Sequence, residues 1–233
     1  MTMQPAARWD ITTVREGEIA RCSDLLVQET RRTVRVNGRV AASVACSPGG
    51  ARNHGLGYLL TEGFLAPGEM PESMEIDGED VSALVERQTA PPPEPVVSDL
   101  VVRIPDILDM AAAAAFGANL HTTTGGTHSA ALFLGDAHVA QAEDISRSAA
   151  FEKAVGAAMA DGIPLDRTVL FLTSRVPEGF VVKAAHARIP ILAAVSAPTL
   201  QAAQTAGRLG ICLCAFVRGS RANIYSCPWR TGS

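Results

Sequence analysis

The sequence predicts an α/β protein, α+β overall, whose C-terminal half is a helix-covered sheet. From residue 147 onward, stretches with helical spacing alternate regularly with short apolar runs that read as strands, which is the pattern of βαβ crossovers. Before Cys46, alternating apolar residues flank Asn37-Gly38, a dipeptide that strongly favours a two-residue hairpin turn. Between these halves lies Thr89–Pro95 (TAPPPEP), where four prolines exclude helix and central strand.

The elements follow in order. Asp24–Cys46 reads as strands turning at Asn37-Gly38, and Ser47-Pro48-Gly49-Gly50 stops them. Ala51–Gly63 has helical spacing, with Leu56, Leu59, Leu60 and Phe64 as the buried stripe. Weaker strands are expected at Met74–Ile76 and Val81–Glu86, and a further one at Val96–Ile104. Asp106–Gly117 is an alanine-rich helix stopped by glycine. Ser129–Leu134, a Gly135-Asp136 turn and Ala137–Gln141 predict a hairpin. There follow helix Arg147–Ala160, strand Thr168–Thr173, helix Pro177–Ala187, strand Ile189–Val195, helix Thr199–Leu209, strand Ile211–Val217 and a returning strand Ala222–Ser226. The expected sheet is largely parallel, and the expected domains are 14–104 and 105–230. No internal repeat is present.

Composition narrows the function classes. At 233 residues the chain can bury one sizeable core or a large and a small one. With 47% hydrophobic and 19% charged residues it is globular rather than disordered. The longest apolar stretch, 110–118, is far below the ~20 residues of a membrane span. MTMQPAARWD lacks the basic and apolar regions of a secretory leader. Five cysteines without framework spacing fit a reducing compartment, so a cytoplasmic protein is expected. A net charge of −4 argues against indiscriminate binding to nucleic acid or an acidic membrane.

If the strands ending at Thr173, Val195 and Val217 are parallel, their carboxyl ends share the edge where open α/β sheets bind ligands. Ser174-Arg175, Ser196-Ala197-Pro198-Thr199 and Arg218-Gly219-Ser220-Arg221 all fall there. The first two are expected to open helices and offer free amides. The two arginines around Gly219 suit bidentate contact with phosphate. An anionic ligand, a phosphate ester or nucleotide, is the expectation. Each feature also has a plain reading: Ser196 and Thr199 as N-caps, Arg175 paired with Glu178, Arg218 and Arg221 solvated. Gly125 and Gly126 suit either a ligand-approaching loop or an ordinary turn, and His128 either a ligand contact or a hydrogen-bonded side chain. Glu143-Asp144-Ile145-Ser146 reads as a helix cap. Cys212 and Cys214 share one strand face as packed thiols. With no CxxC and no His–Cys cluster, a structural zinc site is not expected.

Taken together, NGRV, SPGG, GLGYLLTEGF, TGGTHSAALF, AEDISRSAAFEKAVG, SRVPEGFVVKAAHARIPILAAVSAPT and FVRGSRANIYS occur in the order of the FdhD family, which the chain resembles from about Asp24 to Ser226. Members are formate dehydrogenase accessory proteins usually described as sulfurtransferases. The resemblance implies a small N-terminal α+β domain and a C-terminal cytidine-deaminase-like three-layer α/β/α sandwich. It implies a homodimer that binds the molybdenum cofactor in its bis-molybdopterin guanine dinucleotide form, with GDP or GMP as analogues. The segment Phe216, Val217, Arg218, Gly219, Ser220 and Arg221 would contact it. Formate dehydrogenase, through its catalytic subunit, and a cysteine desulfurase are the implied partners.

The departures from the family are also informative. The CGxCG-type loop, whose cysteine carries a persulfide, is absent between Val96–Ile104 and Asp106. In the family's EDVGRHNAxDK motif, histidine is replaced by Ser148 and aspartate by Glu152. The glutamate after Ser174-Arg175 stands one position early, at Glu178. Sulfur transfer needs an exposed, activated thiolate. The sequence therefore looks like the FdsC-type branch lacking the cysteine loop, a cofactor-binding chaperone. The alternative is a sulfurtransferase with a relocated thiol, Cys46 or Cys227. A deaminase is disfavoured by the absent H-x-E and PCxxC signatures.

Overall fold

The computed structural model describes residues 4–232; residues 1–3, part of the stretch read for a leader, and residue 233 lie outside the described residues. The chain begins with a hairpin that the sequence analysis did not place, β1 (Ala6–Arg15) and β2 (Glu18–Val27). A domain boundary at residue 14 would cut through β1. Its strands pair antiparallel around Glu16-Gly17, and it stands largely in solvent.

A four-stranded sheet follows, ordered β4 (Arg39–Cys46), β3 (Thr30–Val36), β6 (Asp80–Leu84), β5 (Ser73–Asp77). Asn37 and Gly38 take φ of 51° and 76°, the left-handed pair that a two-residue turn between twisted strands requires. Helix α1 (Ala51–Thr61) covers this sheet, packing Leu59 with Val34, Val36 and Ala83. Leu56, Leu59 and Leu60 are buried as expected, while Phe64 lies beyond the helix and is only partly buried.

The six-stranded sheet runs β12 (Arg221–Ser226), β11 (Cys212–Arg218), β10 (Ile191–Ala194), β9 (Thr168–Leu172), β7 (His128–Leu134), β8 (Ala137–Asp144). Only β9, β10 and β11 are mutually parallel. The expectation of a largely parallel sheet is thus corrected: the β7–β8 hairpin and the tight return into β12 make the flanks antiparallel. One face packs Leu132, Leu170, Leu192 and Leu213 beneath α4 (Arg147–Ala160), α5 (Glu178–His186) and α6 (Leu200–Arg208). The other packs Phe133, Phe171 and Ile191 against α2 (Ile104–Gly117). This is a three-layer sandwich.

Val96–Ile104 is not a strand. Val96 N–H donates to the Leu209 carbonyl and Val102 N–H to that of Arg230. The buried Arg230 guanidinium binds the carbonyls of Val96, Ser98 and Gly210. The segment's hydrogen-bonding capacity is spent on the C-terminal tail instead of a sheet. A short helix, α3 (Asn119–Thr124), was also not anticipated.

The two cores meet where α1 crosses α4. A Cβ on Gly57 would lie 1.7 Å from the Glu152 carbonyl oxygen, and one on Gly156 would lie 1.8 Å from that of Asn53. Through this seam runs a buried polar chain. Glu79 pairs with Arg32; the Arg32 guanidinium donates to His54 Nδ1 at 3.0 Å; His54 Nε2 donates to Glu152 at 2.7 Å. Lys183 then donates to Glu152 at 2.7 Å and pairs with Glu62. Burial pushes the Glu152 carboxyl up, but the His54 hydrogen bond and the Lys183 charge outweigh it and hold the group low. Lys183 shifts upward, because its two carboxylates override its burial.

A depressed carboxyl adds stability that is lost as pH falls through its folded value; a raised amine adds stability that is lost as pH rises through its folded value. Denaturation midpoints should therefore hold a plateau and decline below the carboxylate's ordinary 4.5 and above lysine's ordinary 10.5, as read by urea titrations across pH.

Candidate functional site

The carboxyl ends of β9, β10 and β11 do share one edge, and the first residue of β7 joins them because β7 runs antiparallel to β9. At the end of β11 the chain bulges. Phe216 takes φ 53°, and the register with β12 jumps between Ala215 and Arg218. Left-handed backbone at a bulky residue is costly and persists only where its surroundings enforce it. Here Phe216 N–H leaves the β12 ladder and donates to the Ser196 carbonyl at 3.3 Å. Val217 is buried, whereas Arg218, Gly219, Ser220 and Arg221 form the exposed turn, with Gly219 at φ 58°. The two guanidinium carbons lie 6.0 and 5.3 Å from the Phe216 ring centre. Among the described residues neither arginine meets a carboxylate within 4.0 Å. The turn thus presents two positive charges gathered on one aromatic ring.

The loops after β9 and β10 differ from expectation. Helix α5 starts only at Glu178, so Ser174 and Arg175 do not open it. Val176 N–H donates to Ala197 O, and Thr199 N–H to Val176 O, which joins the two loops and uses those amides internally. Thr199 is the N-cap of α6, accepting from Ala202 N–H at 3.1 Å. Ser174 is buried and donates to the Arg175 carbonyl. Arg175 itself is exposed and does not pair with Glu178, which binds Thr205 and Arg208 instead.

Gly125 ends α3 at φ 66°, its N–H donating to His121 O. A Cβ on Gly126 would come 2.7 Å from Val27, so Gly126 lets the root of the N-terminal hairpin pack close. Both glycines therefore serve local geometry. His128 is half-buried. Its imidazole is held below the ordinary value by burial first, then by the positive fields of Arg147, His121 and Arg175.

Those perturbing groups include two residues that sequence reasoning passed over. Arg147 opens α4, where Ser146 caps by accepting from Ala149 N–H. His121 is fixed by donating Nδ1–H to the Thr127 carbonyl at 2.6 Å. Of the acidic run read as one helix cap, Asp144 accepts from Ser47 and Ser146 N–H and pairs with Lys153, while Glu143 caps α3 through the amides of Leu120 and His121. The signal for Arg147 was its place directly after that run, on the shared edge.

The thiols are mostly interior. Cys46 and Cys227 are buried, and burial pushes both upward, the reverse of an activated nucleophile. Cys212 and Cys214 are buried with sulfurs 3.7 Å apart. Cys22, on the hairpin, is the exposed one.

Comparisons with known proteins agree with this architecture. The model of a family described as the FdhD/NarQ family matches residues 27–95 and 85–232. The chain is 32% identical over 235 residues to the Sulfur carrier protein FdhD of Methanothermobacter thermautotrophicus, covering 92% of this chain and 94% of that one. It is 30% identical over 268 residues to the protein of the same name from Streptomyces coelicolor, covering 94% and 93%. A crystal structure described as a formate dehydrogenase accessory protein from Desulfotalea psychrophila superposes with a TM-score of 0.88 at 21% identity, over 98% of this chain and 100% of that one.

Proposed function

The chain belongs to the FdhD/NarQ family, and from that premise we propose that it is an accessory chaperone in formate dehydrogenase maturation. In this reading its cargo is the bis-molybdopterin guanine dinucleotide form of the molybdenum cofactor, which it delivers to the apo-enzyme's catalytic subunit. The observation that carries the reading is the Arg218–Arg221 turn, two carboxylate-free guanidinium groups on a strained bulge at the carboxyl edge of the sheet. Two forks so placed suit the oxygens of a pyrophosphate, and Gly219 lets that group approach the backbone. Phe216 offers a ring face beside them. Ser196 and Arg175 border the same edge, while Ser174 and Thr199, whose hydroxyls bond within the fold, would help only through their positions. Gly125, Gly126 and His128 flank the far end.

The reading includes a homodimer. Alternation along the N-terminal hairpin gathers Trp9, Ile11, Cys22 and Leu26 on one face, with Trp9 66% and Leu26 44% exposed, and such a face suits a second copy.

The relatives' printed name, Sulfur carrier protein, supports a second reading, in which this chain is a sulfurtransferase and a cysteine desulfurase would feed it. In this chain the exposed Cys22 is the thiol open to that role. Protein purified from a host that makes the cofactor should carry molybdenum and release GMP in near-stoichiometric amounts. After incubation with a desulfurase and cysteine, intact mass should show no persulfide. Protein free of both molybdenum and GMP would overturn the cofactor reading. A persulfide chased onto the cofactor would favour the enzyme.

A further inference from the structure

The same sheet edge carries a second group of basic side chains, two arginines and a histidine, beyond the Arg218–Arg221 turn. Arg147 stands at the start of α4, His128 at the start of β7 and Arg175 in the loop after β9. His128 stands opposite Asp144 of β8, three residues before Arg147, and the next residue, Ser129, donates its N–H to Thr173 Oγ1 at 2.8 Å, two residues before Arg175, so the three meet at one corner of the edge. The positive fields of Arg147, His121 and Arg175 add to burial in depressing the imidazole. Among the described residues, none of the three side chains has a carboxylate within 4.0 Å or a side-chain hydrogen bond. The neighbouring acids on β8 are committed elsewhere. Asp144 is pinned by Lys153 and two amides, and Glu143 by the amides of Leu120 and His121 and the Thr127 hydroxyl. Half-buried Arg147 lines an open cavity of about 330 Å³ together with Ser146, Ser148 and Pro177. The two guanidinium groups, gathered without a counter-charge, are unfavourable neighbours unless an anion joins them.

The position of this group matters. In the order β12-β11-β10-β9-β7-β8, the start of β7 lies three strands from the end of β11. At about 4.8 Å per strand, the backbone at the start of β7 is roughly 14 Å from the end of β11 and that at the end of β9 roughly 10 Å, a spacing that a ligand with two anionic groups can bridge.

We propose that Arg147, His128 and Arg175 form a second anion subsite, which takes a phosphate or pyrophosphate group of the same ligand whose other anionic group binds Arg218 and Arg221. The inference rests on the cofactor reading above, since a bis-dinucleotide supplies two pyrophosphates on one molecule. Arg147 is the specific contact, because it is half-buried and lines the cavity while Arg175 is exposed.

The test uses the full chain and two simple probes, inorganic pyrophosphate and GMP. The titration of His128 is followed by NMR of its imidazole, with the resonance assigned through His128→Gln. Saturating pyrophosphate should raise the His128 midpoint, since an anion replaces a field of cations with one of opposite sign. Arg147→Ala should weaken that response about tenfold or more. In the Arg218→Ala/Arg221→Ala variant GMP binding should be lost while the pyrophosphate response at His128 persists. An unsaturable response, or one equal in wild type and Arg147→Ala, would overturn the subsite. A saturable, Arg147-dependent response in protein that never binds GMP would leave the subsite standing and count against the nucleotide clamp alone.

Discussion

Replacing Arg218 and Arg221 together by alanine should lower affinity for GMP by about 10²–10⁴-fold while leaving the fold intact. The magnitude follows from the chemistry of the turn. Each charge-assisted hydrogen-bonding contact to phosphate contributes about 1.5–3 kcal/mol, and each 1.4 kcal/mol is about tenfold in affinity. Two such contacts acting on the single phosphate of GMP give the stated range. The fold survives because both side chains are exposed and unpaired, so no buried partner is stranded by their loss. The Phe216 ring loses only two surface cation–π contacts. Isothermal titration with GMP measures the affinity, and urea denaturation checks the fold. Undiminished binding in a folded double variant would remove the turn from the site. Arg221→Lys should fall between wild type and alanine, because an ammonium keeps the charge but not the fork.

The residues of that turn were legible because their chemistry is local: two arginines spaced around a glycine, directly after an apolar run. The helices of the C-terminal half were legible for a similar reason. Arg147–Ala160 begins at a serine cap and ends where the helical spacing ends, and the structure places it at the same residues. What escaped depends on distant partners. Asn119–Thr124 contains three threonines and looks like a turn, but Glu143, far along the chain, caps its first amides at 2.8 and 2.6 Å. Val96–Ile104 has the composition of a strand. It fails to become one because Arg230 claims its carbonyls. The N-terminal hairpin has no buried face in the single chain, so burial-based alternation is a weak guide there. Its β-branched Ile11–Val14 run and Glu16-Gly17 turn were the available signals.

The site shows the same division. That Ser174, Ser196 and Arg218 share an edge follows from counting crossovers. That the loops after β9 and β10 bind each other, and so withhold their amides from a ligand, does not. Arg147 became visible as a site residue only once β8 was seen to pair with β7, which sets Asp144 opposite His128 and carries the start of α4 to the same edge. Antiparallel flanks thus added cations to an edge that parallel strands alone would have populated with Arg175 and Arg218.

Glu152→Gln should destabilise the protein by about 3–5 kcal/mol, a large fraction of the total for a protein of this size. The reason lies in the direction of each hydrogen bond. Arg32 can only donate, so His54 Nδ1 must accept, and the His54 proton therefore sits on Nε2 and points at Glu152. Lys183 donates to the other carboxylate oxygen. Both partners of Glu152 are donors, and a glutamine has one acceptor oxygen to offer them. Its amide nitrogen would face either His54 Nε2–H or the Lys183 ammonium, stranding a buried donor inside the seam. Gly57→Ala attacks the same seam by sterics, because its Cβ would press on the Glu152 carbonyl oxygen from 1.7 Å. Forcing α1 off α4 also stretches the His54–Glu152 bond, so the two substitutions share one loss. Their combined effect in urea denaturation should be smaller than the sum. A Glu152→Gln change within 1 kcal/mol of wild type would mean that the chain of ions holds nothing that packing does not hold already. The same variant separates stability from binding. Glu152 lies on α4, the helix that begins with Arg147, while Arg218 and Arg221 sit across the sheet. Under conditions where the variant stays folded, GMP affinity should be unchanged and the pyrophosphate response at His128 weakened, because a loosened α4 misplaces Arg147 alone.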